Sequence, residues 1–217
     1  MQVFFERRSE LALGIWEYTF KPERPVDFVP GQYVELRLGG QTRTFTLTSL
    51  PTDPAITFIT KHFALQSTYK QALQALQPGE AATIGDAMGD LVLPKSPAVP
   101  LVYVAGGIGM ASYASMLRDL LARKEERPIF LFYRLRAARE QLCRDLTDAY
   151  PLQLKQIVLA PNELSAQEIK ATTPPDALIY LSGSQDFVET LRADLEALGT
   201  PRSSIVFDYY DGYAQEI

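Results

Sequence analysis

The chain changes its grammar once, at Pro94-Lys95-Ser96-Pro97-Ala98-Val99-Pro100, and that change limits the folds open to it. Three prolines in seven residues favour an extended connection, because each one restricts the residue before it. Upstream, apolar and polar residues alternate in short runs. Trp16, Tyr18 and Phe20 alternate with Glu17 and Thr19, and Val34, Leu36 and Leu38 alternate with Glu35 and Arg37. Residues 43–49 and 55–61 are two further strand candidates. Pro30-Gly31, Gly39-Gly40 and Pro51-Thr52-Asp53-Pro54 are the turn signals between them. Several short strands at this spacing predict a small antiparallel β-barrel. One helix interrupts it, with Ser67 as its N-cap and Pro78-Gly79 as its stop.

Downstream, Leu101–Ala105 is continuously apolar and leads through a glycine turn into a helix over 112–123. Strands at 129–133, 153–159, 177–181 and 204–209 follow, separated by helices near 138–149, 165–171 and 186–198. Unalternated apolar strands between helices predict a parallel sheet covered on both faces. The expectation is therefore two domains, a β-barrel over 1–97 and an α/β parallel-sheet domain over 98–217.

Composition narrows the function classes. Net charge is −5 and no long basic run occurs; Arg123-Lys124-Glu125-Glu126-Arg127 mixes signs. A nucleic-acid partner is therefore not expected. The single cysteine, Cys143, allows no internal disulfide and no iron–sulfur cluster of the chain's own, which needs about four thiolates. The single histidine, His62, excludes a multi-histidine metal site. No apolar run approaches the ~20 residues of a membrane span, and Met1-Gln2-Val3-Phe4-Phe5-Glu6-Arg7 has no signal-peptide core. The expectation is a cytoplasmic chain with no integral membrane segment.

Three segments carry candidate chemistry. Arg43-Thr44-Phe45-Thr46-Leu47-Thr48-Ser49 places a cation, a ring and hydroxyls close together. On a strand, 43, 45, 47 and 49 share one face and 44, 46 and 48 the other. A flat, anionic, nitrogen-rich ligand suits such a set: Arg43 for a phosphate, Phe45 for a ring face, Thr46 for a ring edge. An ordinary amphipathic strand with one exposed arginine is the alternative. The second segment, Val102-Tyr103-Val104-Ala105-Gly106-Gly107-Ile108-Gly109, ends a strand in glycines and opens a helix. A diphosphate can approach such a backbone and meet free N–H groups, although a plain strand-to-helix turn reads the same way. The third, Leu181-Ser182-Gly183-Ser184-Gln185-Asp186, ends a later strand on the same rim, with Ser184 or Asp186 as a helix cap in the structural reading.

Taken in order, these segments resemble the ferredoxin–NADP reductase superfamily of two-domain flavoproteins, in a minimal form without an iron–sulfur domain. Arg43-Thr44-Phe45-Thr46 is similar to the family's Arg-x-Tyr/Phe-Ser/Thr flavin motif. Val29-Pro30-Gly31-Gln32-Tyr33-Val34 resembles a strand leading into its barrel, and Ser67-Thr68-Tyr69 its diphosphate segment. Ala105-Gly106-Gly107-Ile108-Gly109 resembles its nucleotide turn. Asp208-Tyr209-Tyr210-Asp211-Gly212-Tyr213 resembles the aromatic tail of bacterial members. Three positions depart from the pattern: Ala111-Ser112 stands where Thr-Pro is usual, Ser184-Gln185 where Pro-Pro is usual, and Ser182 where a cysteine often stands.

The resemblance implies an FAD-dependent NAD(P)H oxidoreductase that passes electrons to a separate ferredoxin- or flavodoxin-like carrier or a small acceptor. A flavin-binding electron-transfer or regulatory subunit without nicotinamide turnover is the alternative, prompted by the departures. The resemblance also implies roles. Arg43, Thr44, Phe45, Thr46, Ser67 and Thr68 would hold FAD. Lys61 and His62 would line its ribityl or adenosine part, with a surface-strand histidine as the alternative for His62. Gly106, Gly107, Gly109 and Gly183 would receive the nicotinamide nucleotide, and Thr46 and Ser182 would stand beside the reacting atoms. One of Tyr209, Tyr210 and Tyr213, with Tyr210 preferred, would cover the flavin. Arg134 and Arg136 would read a 2′-phosphate, which tilts NADPH or NADH toward NADPH; exposed loop arginines are the alternative.

Overall fold

A computed structural model of the chain describes residues 1–62 and 67–210. Its first half holds β1 (Gln2–Ala12), β2 (Ile15–Pro22), β3 (Tyr33–Leu38), β4 (Gln41–Thr46), β5 (Ile56–Lys61), α1 (Thr68–Ala75) and β6 (Ala81–Ile84). The strands form one antiparallel sheet in the order β4-β3-β6-β1-β2-β5. Its two edges meet just beyond β4. Leu47 bridges Phe58 of β5, and the Thr48 N–H donates to the Thr57 carbonyl at 2.8 Å, so the sheet closes on itself. Inward-facing Phe5, Tyr18, Phe20, Val34, Leu36, Phe45 and Phe58 fill the barrel. Helix α1 starts at Ser67, whose side chain accepts from the Lys70 N–H, and it buries Tyr69 and Leu73.

Beyond Pro100 lie β7 (Leu101–Gly106), a 3₁₀ segment (Gly107–Tyr113), α2 (Ala114–Arg123), β8 (Ile129–Leu135), α3 (Arg144–Ala149), β9 (Leu154–Leu159), α4 (Ala166–Thr172), β10 (Leu178–Ser184), α5 (Gln185–Ala197) and β11 (Ile205–Tyr210). The sheet is parallel, in the order β11-β10-β7-β8-β9. The chain begins at β7, runs outward through β8 and β9, then returns to β10. The strand order reverses between β7 and β10, where open α/β sheets bind ligands beyond the strand ends. The predicted helix over 112–123 begins earlier and more tightly, as the 3₁₀ turn after β7. Tyr113 explains the tightness. Its hydroxyl lies 3.0 Å from the Val104 carbonyl and 2.8 Å from that of Tyr180, and its ring stacks on Tyr103 at 4.3 Å.

The two halves share a core. Ile15, Ile59 and Leu91 pack with Tyr103, Met110, Met116 and Tyr180. The Gly31 N–H donates to Ser115 Oγ at 2.9 Å, and the Tyr180 hydroxyl donates to the Val92 carbonyl at 2.7 Å. Ion pairs Lys61–Glu140 at 3.2 Å and Arg118–Glu17 at 3.9 Å cross the same boundary. The barrel is therefore fixed against the rim of the parallel sheet by apolar contact as well as by charge. No helix among the described residues is long and apolar enough to cross a membrane.

Candidate functional site

Two clusters of predicted residues form, one on the barrel and one at the seam. On the barrel, Arg43 of β4 lies with its guanidinium 5.5 Å from the Tyr69 ring and donates to the Thr42 carbonyl at 2.9 Å. Gln41, two residues earlier, donates to Thr68 Oγ1 at 2.8 Å. Arg43, Ser67 and Thr68 are thus brought to the N-terminal end of α1, where backbone N–H groups and a cation favour an anion. Gln41 Oε1 is buried there with no hydrogen-bond partner among the described residues. Thr44 faces solvent.

Phe45 takes a different place from the one its motif suggests. It is 8% exposed, its ring centroid lies 4.1 Å from that of Phe58, and it belongs to the barrel core. The expected alternation also stops at Thr46. From Phe45 to Ser49 every residue is buried, because barrel closure covers both faces of that stretch.

At the seam, Thr46 from the barrel and Ser182 from β10 meet on the hydroxyl of Tyr210, the last residue of β11. Ser112 completes the group. Its Oγ lies 2.8 Å from the Tyr210 hydroxyl and 3.0 Å from Ser182 Oγ. Burial and the nearby Asp208 charge push the Tyr210 phenol up to about 12, so it stays protonated and can donate near neutral pH. Four hydroxyls from four separate parts of the chain therefore share one spot between barrel and sheet. Ser112 was legible only as a departure from the family pattern; its position in the turn held by Tyr113 was the signal that could have found it. Tyr209 lies beside Phe207, their ring centroids 6.4 Å apart. Tyr213 lies outside the described residues, as does the segment before Ser67.

The glycines line the adjoining crevice. Gly106 and Gly183, at the tips of β7 and β10, both lie against the Phe187 ring of α5. Gly107 has φ +55° and open space where a side chain would project. Gly109 is the tight one: a Cβ there would lie 2.1 Å from the Ser182 carbonyl oxygen. Tyr133 ties this turn down, donating to the Gly107 carbonyl at 3.0 Å while accepting from the Leu142 N–H at 3.3 Å. Ser184 caps α5 in position but makes no side-chain cap bond.

Four predicted residues stand apart from both clusters. His62 is buried with its Nε2 2.9 Å from the Tyr18 hydroxyl, so it faces the barrel rather than a surface. Lys61 is committed to Glu140 across the domain boundary. Arg134, beside Gly106 in register, is paired with Glu163, and Arg136 is exposed.

No protein-family model matches the chain. It is 26% identical over 204 residues to the toluate 1,2-dioxygenase electron transfer component of Pseudomonas putida, an alignment covering 86% of this chain and 59% of that protein. The chain spans less than two thirds of the length of the first curated relatives it matches. Among solved structures, phthalate dioxygenase reductase superposes with a TM-score of 0.83 at 19% identity, over 99% of this chain and 69% of that one. Ferredoxin-NADP+ reductase from Plasmodium falciparum with 2′P-AMP gives 0.81 at 12% identity, over 96% and 95%. The chain thus shares the fold of these reductases and is similar in sequence to electron-transfer and reductase components of oxygenase systems.

Proposed function

We propose that the chain is an FAD-dependent NAD(P)H oxidoreductase, with a flavin half over 1–97 and a nucleotide half over 98–217. One observation supports this reading: Thr46 of the barrel and Ser182 of the sheet rim, both expected from the resemblance to flank the reacting atoms, share the Tyr210 hydroxyl. When bound, FAD would supply a two-electron acceptor that can return electrons singly or in pairs. The residues fit that group. Arg43 and the N-terminal turn of α1 would hold its diphosphate, and a ribityl or ribose hydroxyl of the cofactor would donate to the orphaned Gln41 Oε1. Thr46 would offer a hydroxyl to the ring edge. Gly106, Gly107 and Gly109 would take the nucleotide diphosphate, and Ser182 would stand beside the nicotinamide. The protein's contribution is positioning and exclusion of water.

The electrons would go to a separate carrier protein, as the name of the toluate dioxygenase component suggests for that relative, or to a small acceptor. A single cysteine, its thiol pushed up to about 12 by burial, suits a reducing cytoplasm. The test is an anaerobic titration of the FAD-reconstituted protein with NADH and with NADPH. Stoichiometric bleaching of the flavin band is expected from at least one nucleotide; no bleaching by either sinks the reading. Arg43→Ala should then weaken FAD binding by about 1.5–3 kcal/mol, the worth of a charge-assisted hydrogen bond, or roughly ten- to hundredfold in Kd. Wild-type FAD affinity in that variant would move the flavin site elsewhere.

The Tyr210 anchorage favours a second reading, a flavin-binding electron-transfer or regulatory subunit without its own nucleotide turnover. Its hydroxyl, held at the seam, would stand in the way of a nicotinamide entering between Thr46 and Ser182. Ser112→Ala removes its bond to Ser182 as well as its bond to Tyr210, and the loss of the latter, worth about 1 kcal/mol, should make Tyr210 easier to displace. A fall of about fivefold in the Kd for the nucleotide is expected from that loss. An unchanged or raised Kd would show that Ser112 does not restrain access.

A further inference from the structure

The ion pair at the tip of β8 carries a further assignment, which rests on the nucleotide-binding reading of the glycine turn. In a parallel sheet, a diphosphate at the turn after the first strand directs the adenosine ribose toward the tip of the neighbouring strand. There an acidic side chain accepts from the ribose hydroxyls, or an arginine accommodates a 2′-phosphate. In this chain the neighbouring tip is Arg134, in register with Gly106 across β7 and β8.

Arg134 is not held out for a phosphate. Its Nη2 is bonded to the Glu163 carboxylate, and its Nε donates to the Asn162 carbonyl at 3.3 Å. The loop after β9 thus takes both the charge and two of the directed donors of the guanidinium. The Glu163 side chain is 69% exposed, so its carboxylate is open to a further donor, whereas the Arg134 side chain is 25% exposed. A dianionic 2′-phosphate entering here would face a carboxylate already seated on the Arg134 guanidinium. A ribose 2′-hydroxyl would find an acceptor. Arg136, two residues on and exposed, lies past the end of the strand.

We propose that Glu163 is a specificity-determining residue that sets a preference for NADH over NADPH. It does so by neutralising Arg134 and by accepting from the adenosine ribose. The two-arginine pattern, which taken alone favours NADPH, is overridden by a carboxylate on the following loop.

The test uses the whole FAD-reconstituted chain as wild type and as Glu163→Gln. Binding of 5′-AMP and of 2′-phospho-AMP is measured by calorimetry, and flavin reduction by NADH and NADPH in parallel. Wild type should bind 5′-AMP in preference to 2′-phospho-AMP. Glu163→Gln should shift that ratio by about tenfold or more toward 2′-phospho-AMP, the scale of one close charge contact. The KM for NADPH should fall and that for NADH should rise. An unchanged ratio in the variant, or a wild type that prefers 2′-phospho-AMP, overturns the assignment. Selective AMP binding without any flavin reduction would support this assignment while sinking the oxidoreductase reading.

Discussion

Phe45→Ala is expected to destabilise the FAD-free protein by about 3–5 kcal/mol, the usual cost of emptying a buried phenylalanine site. The ring is almost wholly inside the barrel, stacked on Phe58 at 4.1 Å and within 6.1 Å of Tyr69. Its neighbours are themselves locked. Phe58 stacks on Tyr18 and on Phe20, each at 5.6 Å, so the void cannot be filled by one side chain swinging over. The strand also sits at the closure of the barrel, where Leu47 meets Phe58, and a loosened Phe58 would loosen that seam. Urea unfolding of apo wild type and apo Phe45→Ala measures the effect directly. A loss below about 1 kcal/mol, far under the core-deletion range, would mean that the ring is a cofactor cover and not a core residue. Phe45→Leu, which keeps most of the volume, should recover much of the stability and separates packing from ring stacking. Any loss of FAD affinity in Phe45→Ala must therefore be compared with Arg43→Ala. The guanidinium of Arg43 lies outside the barrel core, and its removal should leave apo stability nearly unchanged.

The elements that were legible in the sequence are those whose pattern reports one environment along their whole length. Leu101–Gly106 is buried from both faces and reads as unbroken apolar chain; Tyr33–Leu38 is half-buried and alternates. The longest strand, Gln2–Ala12, escaped that reading. Only Val3 and Phe5 point into the core, and from Glu6 onward the strand is a solvated ribbon held by its ladder to β2. No periodicity records a strand whose outer half is held mainly by its backbone ladder. β6 (Ala81–Ile84) was missed for a related reason, being four residues of small alternation between turns.

The site was legible where a motif fixes local backbone, as at Ser67 and Gly106–Gly109, and where strand ends share a rim, as with Ser182. It was not legible where meaning depends on a partner distant in sequence. Ser112 matters because Tyr210 reaches it, Arg134 is changed by Glu163, and His62 is turned inward by Tyr18. None of those pairings leaves a trace in spacing. The run from Phe45 to Thr48 shows the same limit. It alternates in type but not in burial, because the closing of the barrel, a long-range event, covers it on both sides.

The second large effect is expected at Gly109. A methyl group there would stand 2.1 Å from the Ser182 carbonyl oxygen and 2.8 Å from the Gly183 nitrogen, both backbone atoms of β10. A flexible side chain could swing aside, but a strand tip can yield only by moving as a unit. Overpacking of this kind typically costs 1–3 kcal/mol and occasionally more, and the rigid neighbour places Gly109→Ala near the upper end of that range. The displacement has a direction. It pushes the β10 tip away from the turn, which separates Ser182 from Ser112, now 3.0 Å apart, and releases one holder of Tyr210. The barrel cluster of Arg43, Ser67 and Thr68 lies on other elements and is not moved by it. Gly109→Ala should therefore keep FAD affinity within about twofold while slowing flavin reduction by NADH and NADPH more than tenfold, since a misplacement near 1 Å costs about a hundredfold. Stopped-flow reduction of the reconstituted variant, beside its thermal melt, measures both. Loss of FAD together with reduction would instead mean that the two halves do not respond separately, and that the shared core through Ile15, Ile59 and Leu91 transmits the strain to the barrel. Wild-type reduction rates would remove the glycine turn from the nucleotide site altogether.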